Sequence, residues 1–222
     1  MDIKNNTVSS DNQMINSSEV SFLGNKNAST RILVLGNSIT RHGPLAEIGW
    51  NNDWGMAAST AEKDYVHRLY AKLTENGQDV YMRIRQASYW ETHFLEDGVL
   101  SKFEEEKDFQ ADIVVFRLGD NVINAKAEEK VHFESALEDF MSYICAKNAK
   151  VLFTTCFWVL SDVDSVIERV AKKRGDTFIP ANFATDESNT AVGKFEHAGV
   201  ACHPGDDGME KIAEVIYRAI QQ

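Results

Sequence analysis

Five short apolar runs constrain this chain more than any other feature: RILVLG (31–36), DVYMRIRQ (79–86), ADIVVFRLG (111–119), KVLFTTCF (150–157) and the weaker TFIPA (177–181). They are continuous rather than alternating, which is the pattern of strands buried on both faces. Between them, apolar residues recur at helical spacing over Tyr65 to Leu73, Val131 to Ile144, Val163 to Val170 and the closing DGMEKIAEVIYRAIQQ. Gly77 and Gly175 stand where C-caps belong, and Asp206 or Asp207 is placed to cap the last helix. Strand and helix in alternation imply a parallel sheet with helices on both faces.

The expected fold is therefore α/β: a three-layer α/β/α sandwich around a five-stranded, mostly parallel sheet of flavodoxin-like topology. A chain of 222 residues suffices for one such domain, here residues 30–222. Residues 1–29 are rich in Asn and Ser and read as a loosely ordered polar tail, docked at most by Phe22 and Leu23 of the patch VSFLG.

A formal net charge of -11 repels phosphate backbones and anionic lipid, so neither nucleic acid nor a membrane surface is an expected partner. Three widely spaced cysteines (Cys145, Cys156, Cys202) fit neither a disulfide framework nor a CxxC metal site and read as free thiols. The sequence has no apolar run of signal-peptide or membrane-spanning length, which gives cytoplasmic as the expected location. Without HExxH or a close His-Asp pairing, no metal and no other cofactor is expected.

In a parallel sheet, ligands bind beyond the carboxyl ends of the strands. The first predicted strand ends at Gly36-Asn37-Ser38, the second near QASYWE (86–91), the third at Gly119-Asp120-Asn121, and HAGVACHPGDDG (197–208) precedes the last helix. A serine hydroxyl attacks a carbonyl only if a base takes its proton and donors stabilise the oxyanion. Ser38 as nucleophile, His203 as general base and the Asn121 amide as oxyanion donor would bring these three functions to one edge.

This order and spacing resembles the SGNH, or GDSL-like, hydrolase family. GNSIT looks like its first block, usually Gly-Asp-Ser; GDN looks like its Gly-x-Asn block; CHPGDDGM looks like the block that carries its histidine. The resemblance runs over about residues 30–222 and implies an ester hydrolase with catalytic Ser38, His203 and Asn121, needing no cofactor. It also implies a backbone oxyanion donor after the second strand, where Ala87 or Ser88 stands in place of the usual glycine. Two further departures accompany it: Asn37 replaces the aspartate before the serine, and Val200 occupies the position, three residues before the histidine, of the triad aspartate. Glu196, Asp206 or Asp207, or a backbone carbonyl, remain as groups to orient His203.

The long connection RHGPLAEIGWNNDWGMAAS (41–59) carries Trp50 and Trp54, and SYWETHF adds Trp90. With Asn37, these are the candidate substrate contacts: flat aromatic faces stack on sugar rings, although tryptophans in a loop equally often plug it onto the core. His42 and His93 lie in segments near the proposed site, and EEEKD (104–108) reads as a solvated helix face. The expected function is a serine esterase removing a short acyl group, acetyl above all, from a small-molecule or glycan ester. Two alternatives stay open: a catalytically impaired carbohydrate-binding module on the same fold, and an acyltransferase. The oligomeric state is not legible.

Overall fold

The computed structural model describes residues 19–222. Six strands form one sheet: β1 (Val20–Gly24), β2 (Thr30–Gly36), β3 (Val80–Gln86), β4 (Ile113–Arg117), β5 (Lys150–Thr154) and β6 (Thr177–Ile179). Their order is β1-β3-β2-β4-β5-β6, with β1 antiparallel to β3 and all other pairs parallel. Among the described residues eight α-helices accompany them: α1 (Tyr65–Glu75), α2 (Ser88–His93), α3 (Glu104–Asp108), α4 (Ala127–Lys130), α5 (Phe133–Ile144), α6 (Ser161–Arg174), α7 (Ala198–Ala201) and α8 (Asp206–Gln221).

The two faces of the sheet follow from strand periodicity, because successive side chains point to opposite sides. Ile32 and Val34 of β2 pack with Leu69 of α1 and Ile212 and Ile216 of α8; Leu33 and Leu35 pack with Trp90, Phe140 and Ile167 on the other side. Both faces are apolar, so the runs do not alternate. The result is the expected α/β sandwich.

The five-strand count falls one short. VSFLG pairs with residues 81–85 of β3, with Val20 opposite Arg85 and Gly24 opposite Tyr81. Cross-strand contacts hold it: Phe22 stacks on Tyr81 at 5.4 Å, and the Arg83 guanidinium lies 5.2 Å from the Phe22 ring centre. Residues 1–18 of the predicted tail lie outside the described residues.

EEEKD is not wholly solvated. Arg83 and Arg85 point inward from β3, and Glu106 of α3 is buried against them, accepting from Arg83 Nε at 2.8 Å. Asp206 and Asp207 do not cap α8, whose N-cap is Gly205; Asp206 is its first residue and accepts instead from the Ser59 N–H (2.9 Å), the Ser59 hydroxyl and Lys63. Gly175 does cap α6 in the left-handed region, whereas Asn76, one residue before Gly77, caps α1.

Asp64 opens α1 by accepting from the His67 N–H at 2.8 Å, and its other oxygen accepts from the Gly55 N–H at 3.1 Å, tying the long 41–59 connection to the helix. Asp64→Ala is expected to cost about 2 kcal/mol, from a lost N-cap and a stranded buried N–H, measured as a shift in the urea midpoint at unchanged slope.

Candidate active site

The sheet reverses direction at β2: the chain goes from β2 to β3 on one side and then crosses to β4 on the other. Beyond the carboxyl ends of β2 and β4 such a reversal opens a crevice. Ser38 follows β2 there, Asn121 follows β4, and His203 arrives on the loop between α7 and α8.

The turn at Ser38 is tight, with the N–H groups of Thr40 and Arg41 both donating to the Asn37 carbonyl. It closes directly over Gly36, where a Cβ would sit 1.7 Å from Thr40 Oγ1, so only glycine admits this path. The Ser38 carbonyl accepts from the Met56 N–H at 2.9 Å, and the Ser38 N–H has no partner among the described residues. The Ser38 hydroxyl lies 2.8 Å from His203 Nε2.

His203 Nδ1 lies 2.7 Å from the Gly199 carbonyl oxygen. A carbonyl only accepts, so Nδ1 carries the proton, Nε2 presents its lone pair, and the Ser38 hydroxyl donates to it. Burial lowers the His203 pKa to about 4, against the opposing pull of the Gly199 carbonyl, so the imidazole is neutral at physiological pH. The loop is pinned on both sides, since Ala191 N–H donates to the His203 carbonyl and Gly205 N–H to the Asn189 carbonyl. Trp158, a residue the sequence reading did not single out, meets the imidazole edge-on at 5.4 Å and 89°.

The carboxylates considered as orienters stand elsewhere. Asp206 is held by Ser59 and Lys63, and no contact joins Glu196 to His203, whose Nδ1 is already satisfied by Gly199. Val200 occupies the family's aspartate position for a packing reason: it is fully buried in an apolar cluster with Trp50, Met56, Ala57 and Ala191, where a carboxylate would lose its hydration.

Three predicted contacts are likewise reassigned. Trp50 is fully buried and donates from Nε1 to the His42 carbonyl at 3.0 Å; Trp90 is fully buried and stacks on Phe140 at 4.4 Å; neither presents a face to a sugar. Asn37 is buried with both Nδ2 hydrogens committed, to Glu91 Oε1 (3.2 Å) and Asp120 Oδ2 (2.9 Å), and with Oδ1 accepting from the Ile39 N–H. Trp54 is half-buried against Trp50. The Ala87 N–H donates to the Gly36 carbonyl at 2.6 Å and the Ser88 N–H to Gln86 Oε1 at 3.0 Å, so neither is free for an oxyanion.

Asn121 is oriented by a residue the sequence reading passed over. Its Nδ2 donates to Glu91 Oε2 at 2.6 Å and its backbone N–H to Oε1 at 3.2 Å. One Nδ2 hydrogen is left, and with the Ser38 N–H it makes two uncommitted donors at this edge. Glu91 is fully buried, and Oε1 also accepts from the Gly119 N–H at 2.6 Å. Gly119 needs to be glycine: its φ is +131°, and a Cβ would lie 2.9 Å from Cys156 Sγ. Behind them, Asp120 forms a buried ion pair with Arg117 and accepts from the Phe157 N–H at 2.8 Å. Burial pushes the Asp120 pKa up, but Arg117 and these donors hold it below the usual carboxylate range.

His42 is buried with Nδ1 donating to the Gly43 carbonyl, and His93 stacks on Tyr89 at 3.9 Å. Burial raises the Cys202 thiol to about 11, and its Sγ is 3.9 Å from His203 Nδ1, the nitrogen already bonded to Gly199, so no thiolate competes at this site. Among the described residues, no three His, Cys, Asp or Glu side chains are grouped to hold a metal ion, and no helix is long and apolar enough to cross a membrane.

No protein-family model matches the sequence, and no curated protein matches it. Solved structures do. TesA superposes with a TM-score of 0.54 at 19% identity, over 86% of this chain and 98% of its own. LAE5, an alpha/beta hydrolase enzyme from the metagenome of Lake Arreo, gives 0.59 at 14%, over 87% and 96%. A variant of Axe2, an acetylxylan esterase from Geobacillus stearothermophilus, gives 0.56 at 15%, over 90% and 96%. The chain has the fold of the SGNH, or GDSL-like, hydrolases.

Proposed function

We propose that the chain is an ester hydrolase that works through an acyl-enzyme on Ser38. The observation that carries this reading is the relay of Ser38 Oγ, His203 and the Gly199 carbonyl, with contacts of 2.8 and 2.7 Å. Neutral His203 takes the hydroxyl proton as Oγ attacks the ester carbonyl. The Ser38 N–H and the uncommitted Asn121 Nδ2–H receive the oxyanion, and His203 then protonates the departing alcohol. Water enters by the same base and releases the acid.

A short acyl group, acetyl first, on a polar alcohol is the substrate class; the acetylxylan esterase among the structural relatives supports it, and no aromatic platform at Trp50 or Trp90 supports the rival sugar-binding module. Acyl transfer shares the first half-reaction and differs only in the acceptor.

The test is hydrolysis of p-nitrophenyl acetate and butyrate. A burst equal to the enzyme concentration, acetate faster than butyrate, and a single covalent adduct on Ser38 after treatment with an alkyl phosphonate, seen by mass spectrometry, are expected. Adding an alcohol acceptor and measuring free acid against new ester separates hydrolysis from transfer. Turnover no faster than buffer, on these esters and on acetylated glycans, would return the binding-module reading.

A further inference from the structure

Every hydrogen bond that the Glu91 carboxylate makes comes from a donor. Oε1 accepts from the Gly119 N–H, the Asn121 N–H and Asn37 Nδ2, and Oε2 accepts from Asn121 Nδ2. None of these four groups can accept a hydrogen bond, so a proton on Glu91 would find no acceptor among its present partners. The same carboxylate thus reaches both the turn that carries Ser38, through Asn37, and the residue placed as oxyanion donor.

We propose that Glu91 is a positioning residue for the esterase chemistry, whose ionised carboxylate fixes the Asn121 amide with Nδ2 inward and its second N–H aimed at the oxyanion. The inference rests on the hydrolase reading above. An amide has two nearly isosteric orientations, and only an acceptor beside it selects the one that places the nitrogen here. When Glu91 takes up a proton, its new O–H is best satisfied by the amide oxygen, the Asn121 side chain turns over, and the donor is lost from the site.

Burial and the nearby Asp120 charge raise the Glu91 pKa to about 7, against the pull of its Asn121 and Gly119 donors. The charged groups facing it are Asp120 at the end of β4 and, through Asp120, the Arg117 guanidinium; β2 presents the neutral Asn37, the turn after β4 presents amides, and Trp90 beside it packs into apolar rings. His203 titrates about three pH units lower. The two groups therefore give separable acid limbs: one near pH 7 from Glu91 and one near pH 4 from the base.

Three proteins decide it: wild type, Glu91→Gln and Ser38→Ala, assayed on p-nitrophenyl acetate from pH 4.5 to 9 (a span chosen to bracket the reference histidine range), with burst amplitude giving the active fraction. The wild-type kcat is expected to rise with a midpoint near 7. In Glu91→Gln the amide nitrogen of the new side chain faces Asn121, so kcat per active site should fall about a hundredfold at the alkaline plateau while KM stays within about twofold. The limb near 7 should vanish, leaving kcat level until it begins to fall at the acid end of the range. A merely structural role would lower the active fraction and leave the midpoint in place, and that result would overturn the inference. If Glu91→Gln does not fold, the wild-type side-chain amide signal of Asn121, assigned by its absence in Asn121→Ala, carries the test: it should titrate with the same midpoint, and a flat response overturns the inference. Wild-type turnover equal to that of Ser38→Ala would overturn the hydrolase reading together with this role, whereas Ser38-dependent turnover with no limb near 7 overturns this role alone.

Discussion

Replacing either Ser38 or His203 by alanine is expected to lower kcat on an activated ester as far as replacing both. The two side chains share one proton across a 2.8 Å contact, so neither does chemistry without the other. In a subtilisin-type protease each single loss costs on the order of a millionfold, about as much as losing the whole triad. The span expected here is smaller, roughly ten-thousandfold, because no carboxylate supports the imidazolium. Much of the ten-thousandfold penalty of an Asp-to-Asn change in a serine protease reflects the wrong tautomer, and here the Gly199 carbonyl already selects the right one. Kinetics of the two single variants and the double variant check it. A double variant much slower than either single one would show that Ser38 and His203 act separately.

Asp120→Ala is expected to destabilise the fold by about 3–5 kcal/mol, because it leaves the Arg117 guanidinium buried without a counter-ion. Two donors, the Phe157 N–H and Asn37 Nδ2, lose their acceptor as well. Asp120→Asn retains acceptors for one or both but not the charge, so it should recover only part of the loss. Urea denaturation of the three proteins measures this. The pH dependence has a definite sign: the Asp120 pKa is held below its unfolded value, so its contribution is present above that unfolded value and is lost as pH falls through the folded one. Acid should therefore narrow the gap between wild type and Asp120→Ala.

The sheet was legible because burial on both faces leaves continuous apolar runs, and all five runs are strands. The edge strand β1 was not, because five residues flanked by polar sequence gain their stability from partners on β3, Tyr81 and Arg83, that no local pattern announces. That Ser38, Asn121 and His203 stand at one edge of the sheet was legible from their place after strands and before the last helix. Trp50, Trp90 and Asn37 were misread for one reason: residue type shows what a side chain can contact, and only packing shows which face it turns. Glu91 lies in SYWETHF, whose aromatic residues suggest a contact surface; a single carboxylate just beyond a strand end was the available signal.

The helix α7 is four residues long, yet it orients the His203 imidazole through a main-chain oxygen. Such a group cannot be deleted by a change of side chain, neutralised by acid or screened by salt. The bearing of His203 is thereby inherited with the path of the backbone, and substitutions along 197–202 are filtered by whether that turn persists, not by the charge they carry. A site organised this way needs no carboxylate at position 200, and the Val200 side chain serves the apolar cluster around Trp50 instead.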